Sequence, residues 1–134
     1  MRRLHLVELE DLDAVPRTIR DGGTDLLDLA FARMGFYRGV APELAALLAS
    51  AGTDRLVDLC SGGGGGTLAL WRELPEPRPQ LLLSDRNPNH AGIARVAALA
   101  DARVRYREQS VDAMEGGGDQ PGVRTMSGAL HHFR

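Results

Sequence analysis

Five consecutive glycines at residues 62–66 constrain the fold of this chain more than any other feature. A short apolar run over residues 56–60 ends just before them, and residues 67–71 resume with the apolar content of a helix. Glycine reaches positive φ values that other residues avoid, so the segment predicts a sharp turn between a strand and a helix. A turn without Cβ atoms also lets a ligand approach the backbone N–H groups. An ordinary flexible linker is the alternative explanation of such a run.

The same unit of strand and helix recurs downstream. A second apolar run covers residues 81–85, and an alanine-rich stretch over residues 93–100 predicts the helix that follows it. Residues 104–107 alternate with period two and predict a third strand at a sheet edge, while residues 123–130 predict a fourth. Strands separated by helices pair in parallel through right-handed crossovers. The sequence therefore predicts an α/β fold with a Rossmann-like, doubly wound parallel sheet.

Two helices are expected before the first strand. Thr24 can cap a helix that ends at Gly35, and Pro42 occupies the first turn of a second helix that closes at Gly52. We expect residues 1–39 to form an amino-terminal arm and helix, and residues 40–134 to form the ligand-binding domain.

Composition excludes several functional classes. All 16 basic side chains are arginines, because lysine is absent, and a P-loop needs a lysine beside the phosphates. The net charge of −2 does not indicate nucleic-acid binding. The single cysteine, Cys60, cannot form an internal disulfide, which favours the cytoplasm. No segment approaches the roughly 20 apolar residues that span a bilayer, and no histidine has a partner at metal-ligand spacing, so neither a membrane nor a metal is expected.

Carboxylates stand at the predicted ends of three strands. Asp85 closes the second strand about 20 residues beyond the glycines, where an acid accepts hydrogen bonds from both hydroxyls of a ribose. Asp112 follows the third strand and could accept from an adenine amine, although a solvated loop residue is the simpler explanation of Asp112 taken alone. Asp58 lies near the end of the first strand, where its charge would repel a pyrophosphate and attract an ammonium or a sulfonium.

An NAD(P) site is the second interpretation of this pattern. The dinucleotide fingerprint fits poorly from Gly62, since its third glycine falls on Thr67. A looser register survives at Gly64, Gly66 and Ala69. A non-catalytic interaction module with the same fold is the third interpretation.

Four ordered segments resemble the motifs of the class I S-adenosylmethionine-dependent methyltransferases. Residues 57–64 look like the first motif, an acidic residue followed by glycines, and residues 82–85 look like the second, with its ribose-binding acid. Residues 111–113 are similar to the adenine-contacting segment, and residues 125–133 to the fourth-strand motif beside the methyl-transfer position. Cys60 stands where the family usually has the first turn glycine. The cofactor-binding residues that the resemblance implies are Asp58, Cys60, Ser61, Gly62, Gly63, Gly64, Asp85, Arg86, Asp112 and Ala113.

The resemblance implies S-adenosyl-L-methionine as cofactor and methyl transfer to an unidentified acceptor, most simply a small molecule. Such a displacement depends mainly on holding the nucleophile in line with the methyl group. His131 and His132 are the candidate bases, and because adjacent strand residues point to opposite faces, at most one addresses the cleft. A structural histidine and a terminal one explain the pair equally well.

The family's sheet continues beyond its fourth strand, so residues 40–134 look like the cofactor-binding half of a longer protein. A parallel sheet that ends with its fourth strand exposes an unpaired edge. We expect either self-association through residues 123–133 or coverage by the arm at residues 1–23.

Overall fold

A computed structural model of the chain describes residues 37–115, 120–127 and 129, together with residues 16, 26, 34 and 35. In chain order its elements are helix α1 (Ala41–Ser50), strand β1 (Arg55–Leu59), helix α2 (Gly65–Glu73), strand β2 (Gln80–Ser84), helix α3 (His90–Ala98), strand β3 (Val104–Tyr106), a 3-10 turn (Ala113–Glu115) and strand β4 (Val123–Thr125).

The four strands form one parallel sheet in the order β3-β2-β1-β4. β1 and β2 are central, and the chain moves outward from β1 to β3 before it crosses back to β4 on the other side of β1. The direction of winding reverses at β1, so the carboxyl ends of β1 and β4 flank a topological switch point. The predicted α/β Rossmann-like fold is confirmed.

Helices α1, α2 and α3 contribute to one hydrophobic core on one face of the sheet. Their buried side chains include Leu44 of α1, Leu68 of α2 and Val96 of α3, and these pack with alternate strand residues such as Leu56 and Leu81. The intervening strand residues form a second cluster, whose buried members are Val57, Leu59 and Val111. Alternation along the strands places this second cluster on the opposite face. The segment that follows β3 therefore helps to cover that face.

Several predicted boundaries are confirmed and others shift. α1 carries Pro42 in its first turn and is followed by Gly52 with a φ of 60°, as predicted. α3 begins at His90, three residues earlier than predicted, because the side chain of Asn89 accepts a hydrogen bond from the Gly92 amide at 2.8 Å. β4 is shorter than the predicted residues 123–130. The helix predicted from Thr24 lies largely outside the described residues. Within the described ranges, no helix is long and apolar enough to cross a bilayer.

Candidate functional site

The candidate site lies at the carboxyl ends of β1 and β2, around the turn between β1 and α2. We call residues 60–64 the glycine turn. Three of its residues have left-handed backbone conformations, with φ values of 59° at Cys60, 51° at Gly62 and 76° at Gly64. For cysteine this conformation costs roughly 1–2 kcal/mol relative to a glycine. Cys60 thus adopts a backbone conformation that glycine favours, although the residue at this position is a cysteine.

Asp58 is completely buried beneath the glycine turn. Its carboxylate accepts three hydroxyl hydrogen bonds, at 2.8 Å from Ser61, 2.7 Å from Thr67 and 2.7 Å from Thr125. Burial raises the pKa of Asp58, and these hydroxyls oppose part of that increase. The carboxylate ties β1 to the glycine turn, to α2 and to β4. The carboxylate is enclosed by these three hydroxyls.

Asp85 is attached directly to the glycine turn. One carboxylate oxygen accepts from the Gly62 amide at 2.8 Å, and the other accepts from the Asn87 amide at 2.8 Å. A carboxylate oxygen offers about two acceptor positions, so each oxygen can accept a further hydrogen bond from a ligand. The backbone carbonyl of Asp85 also accepts from the Val111 amide at 2.9 Å. Asp85 therefore joins the turn after β1 to the segments after β2 and β3.

Asp112, Arg86 and Ala113 lie together at the same edge. Asp112 accepts a hydrogen bond from the Met114 amide at 2.8 Å, which fixes the start of the 3-10 turn that contains Ala113. The Arg86 Nε atom lies 3.9 Å from the other oxygen of Asp112. Arg86 is largely exposed, so this ion pair contributes little to stability. The two loops that carry the predicted ribose and adenine contacts are thus adjacent.

The Cys60 thiol is half-buried in the glycine turn. Burial, followed by the charges of Asp85, Asp58 and Asp112, raises its pKa from the ordinary value of 9.0 to about 11. The thiol is protonated at neutral pH, which disfavours a nucleophilic role. The same influence of the three aspartates indicates a negative electrostatic potential at this edge. Such a potential favours a cationic group and disfavours a pyrophosphate.

Two contacts from α3 and β3 were not foreseen from the sequence. The Tyr106 hydroxyl donates to the Gly62 carbonyl at 2.6 Å, and Arg95 donates to the Gly63 carbonyl at 3.0 Å. For Tyr106 a signal existed, because its position on the buried face of β3 requires a partner for the hydroxyl. No sequence signal pointed to Arg95, because an arginine on a helix at the protein surface is expected to face solvent.

The remaining predicted residues divide into two groups. Ser61, Gly63 and Gly64 all lie within the glycine turn, where the Gly64 amide donates to the Ser61 carbonyl at 2.7 Å. His131 and His132 lie outside the described residues, so their proposed role as bases stays a prediction. In the described part of the chain, no three His, Cys, Asp or Glu side chains are grouped closely enough to hold a metal ion.

The site combines a left-handed glycine turn, a carboxylate bonded to that turn and an acidic edge at the switch point of a parallel sheet. The chain matches no protein-family model, and neither the curated proteins nor the solved structures contain a significant match to it.

Proposed function

We propose that this chain binds S-adenosyl-L-methionine and is a methyltransferase or the cofactor-binding half of one. The observation that carries the proposal is the bond between Asp85 and the Gly62 amide at the carboxyl edge of β1 and β2. This bond holds an acceptor for ribose hydroxyls at a fixed place beside a turn that admits a ligand. Nucleoside-binding α/β folds place their ribose acid in this relation to the first strand-to-helix turn.

The charge of the edge favours a sulfonium nucleoside over a dinucleotide. Asp58, Asp85 and Asp112 all raise the pKa of Cys60, so acidic side chains would lie near a ligand at this turn. S-adenosyl-L-methionine carries a sulfonium and an ammonium, which these side chains attract. NAD(P) carries a pyrophosphate, which they repel. The left-handed Gly64 directly before α2 is the observation that favours NAD(P), because a helix amino terminus that follows a glycine turn suits a phosphate.

The proposed reaction is a direct displacement at the methyl carbon. The bond from the methyl group to sulfur breaks as the bond to the acceptor nucleophile forms, and the sulfur retains the electron pair to leave S-adenosylhomocysteine. The protein's contribution is alignment of the two reactants, with His131 or His132 available to take a proton from the acceptor. We propose a small-molecule acceptor and a cytoplasmic location, the latter because the lone Cys60 has no intramolecular disulfide partner.

Calorimetric titration of the 134-residue chain with S-adenosylhomocysteine and with NAD separates the interpretations. We expect S-adenosylhomocysteine to bind and NAD to bind more weakly or not at all. Tighter binding of NAD would favour the dinucleotide site, and binding of neither ligand would favour the interaction module.

Replacement of Asp85 tests the residue on which the proposal depends. Asp85→Ala removes a charged acceptor from two hydroxyls and should weaken binding of S-adenosylhomocysteine by about 1.5–3 kcal/mol. Asp54→Ala is the matched control, because it removes the same charge from an exposed residue before the amino end of β1. Equal affinities of the two variants, both with native urea denaturation curves, would remove Asp85 from the site.

A further inference from the structure

The carbonyl groups of the glycine turn are held from the side of α3 and β3. The Gly62 carbonyl accepts from the Tyr106 hydroxyl at 2.6 Å, and the next carbonyl, that of Gly63, accepts from Arg95 Nη1 at 3.0 Å. Two successive peptide units are therefore fixed by side chains that lie 44 and 32 residues away in sequence.

The contact between Tyr106 and the Gly62 carbonyl also restricts the direction of the following peptide N–H group. In a planar trans peptide the carbonyl and the following N–H point in opposite directions. A Gly62 carbonyl directed at Tyr106 therefore turns the Gly63 N–H away from β3. Glycine has unusual rotational freedom, so a turn with three successive glycines needs external contacts to keep one arrangement. Tyr106 and Arg95 supply them.

The packing of α3 against the turn is close. A Cβ atom on Gly92 would lie 2.8 Å from the Gly63 carbonyl oxygen and 3.2 Å from Cε2 of Tyr106. Asn89 caps α3 through a 2.8 Å bond to the Gly92 amide, which fixes where the helix begins beside the turn. The Tyr106 side chain is itself buried in the core. The donors thus stand on a rigid helix and strand, whereas the turn that accepts their hydrogen bonds consists largely of glycine.

We propose that Tyr106 and Arg95 are positioning residues, which hold the glycine turn in its ligand-binding arrangement without contacting the ligand. This inference rests on the proposed function, since the ligand is the nucleoside of S-adenosyl-L-methionine. The two side chains act through the Gly62 and Gly63 carbonyls. Their loss leaves Asp85 and the fold in place while it releases the peptide units of the turn.

The test measures S-adenosylhomocysteine affinity by calorimetry for Tyr106→Phe and for Arg95→Met in the full chain. A hydrogen bond of ordinary strength predicts a Kd increase of about 3- to 10-fold for each variant. S-adenosylhomocysteine has no net charge, because its sulfur is neutral and its carboxylate balances its ammonium, so loss of the Arg95 charge does not in itself favour binding. Arg95→Lys retains a donor and should recover part of the affinity. Arg72→Met is the matched control, because Arg72 is exposed near the end of α2.

Amide resonances of Gly63 and Gly64 in the ligand-free protein give a second measurement. They should shift or broaden in Tyr106→Phe and Arg95→Met and stay unchanged in Arg72→Met. Wild-type affinity in both variants, with binding by the parent chain intact, would overturn the positioning role alone. A parent chain that binds no S-adenosylhomocysteine would overturn the proposed function and this inference together. If Tyr106→Phe does not fold, the Arg95 variants alone decide. The inference is supported if Arg95→Met loses affinity and Arg95→Lys recovers part of it, and it is overturned if Arg95→Met and Arg95→Lys bind with equal affinity.

Discussion

Replacement of Gly92 with alanine would insert one methyl group between α3 and the glycine turn. The new Cβ would lie 2.8 Å from the carbonyl oxygen of Gly63, 3.1 Å from its carbonyl carbon and 3.2 Å from Cε2 of Tyr106. Two of these atoms belong to backbone, which cannot rotate aside as a flexible side chain does. The helix or the turn must therefore move to accommodate the methyl group.

The expected loss of stability combines three contributions. Overpacking of a close contact costs about 1–3 kcal/mol. Displacement of the turn weakens the hydrogen bonds from Tyr106 to Gly62 and from Arg95 to Gly63, each worth about 1 kcal/mol. Alanine's higher helix propensity returns about 1 kcal/mol. The free energy of unfolding should fall by about 2–4 kcal/mol as a result.

Urea denaturation of three variants separates the steric effect from that of backbone conformation. A Cβ atom on Gly39 would have no neighbour within 4 Å, and Gly39→Ala should be neutral or stabilising by up to about 1 kcal/mol. Gly52 is equally open but has a φ of 60°, so Gly52→Ala should lose about 1 kcal/mol from backbone strain alone. If Gly92→Ala proves as stable as Gly39→Ala, α3 does not pack closely against the turn and the reasoning is refuted.

Three further predictions concern the acid, the thiol and the sheet edge. Burial raises the pKa of Asp58, so its contribution to stability is present below the unfolded pKa and is lost as pH rises through the folded pKa. Asp58→Asn should therefore flatten the decline of the unfolding free energy in urea denaturation measured from about pH 4 upward, and an unchanged decline would contradict this prediction. Because Cys60 has a φ of 59°, Cys60→Gly should be more stable than Cys60→Ala in thermal melts, and the reverse order would show that the backbone there is unstrained. In the described residues β4 pairs only with β1, so the 134-residue chain should self-associate through residues 123–133, whereas sedimentation as a monomer at every concentration would exclude this.

The sequence predicted the central strands well because their signals are local. Apolar runs bounded by glycine or proline define β1 and β2, and alternation defines β3. The extent of β4 was over-predicted, because its register matches Val123 to Thr125 with residues 56–58 of β1 and the ladder stops there. Apolar residues after Thr125 fit a strand by composition alone. The end of a strand depends on its neighbour, which a local pattern does not contain.

The positions of the acidic residues in the candidate site could also be predicted from the sequence, but the contacts within the site could not. Asp58, Asp85 and Asp112 could be brought together from topology, because the carboxyl ends of parallel strands lie at one edge. The contact that holds the glycine turn could not be predicted, since Tyr106 and Gly62 are 44 residues apart and no spacing rule connects them. The sequence also showed only one of the two reasons for a glycine at position 64, namely the turn. The second reason is core packing, because a Cβ on Gly64 would lie 2.9 Å from Cδ1 of buried Leu83.

Buried Asp58 connects two elements that matter for the proposed reaction. Desolvation of a carboxylate is costly, and three hydroxyl donors offset that cost only where they converge on it. Ser61 belongs to the glycine turn and Thr125 to the end of β4, so the carboxylate links the proposed cofactor-binding turn to β4. Methyl transfer depends on alignment of cofactor and acceptor. An exposed acid could attract the sulfonium, but it would not hold β4 in place. The complete burial of Asp58 between the glycine turn and β4 therefore fits a role in aligning the cofactor with the acceptor.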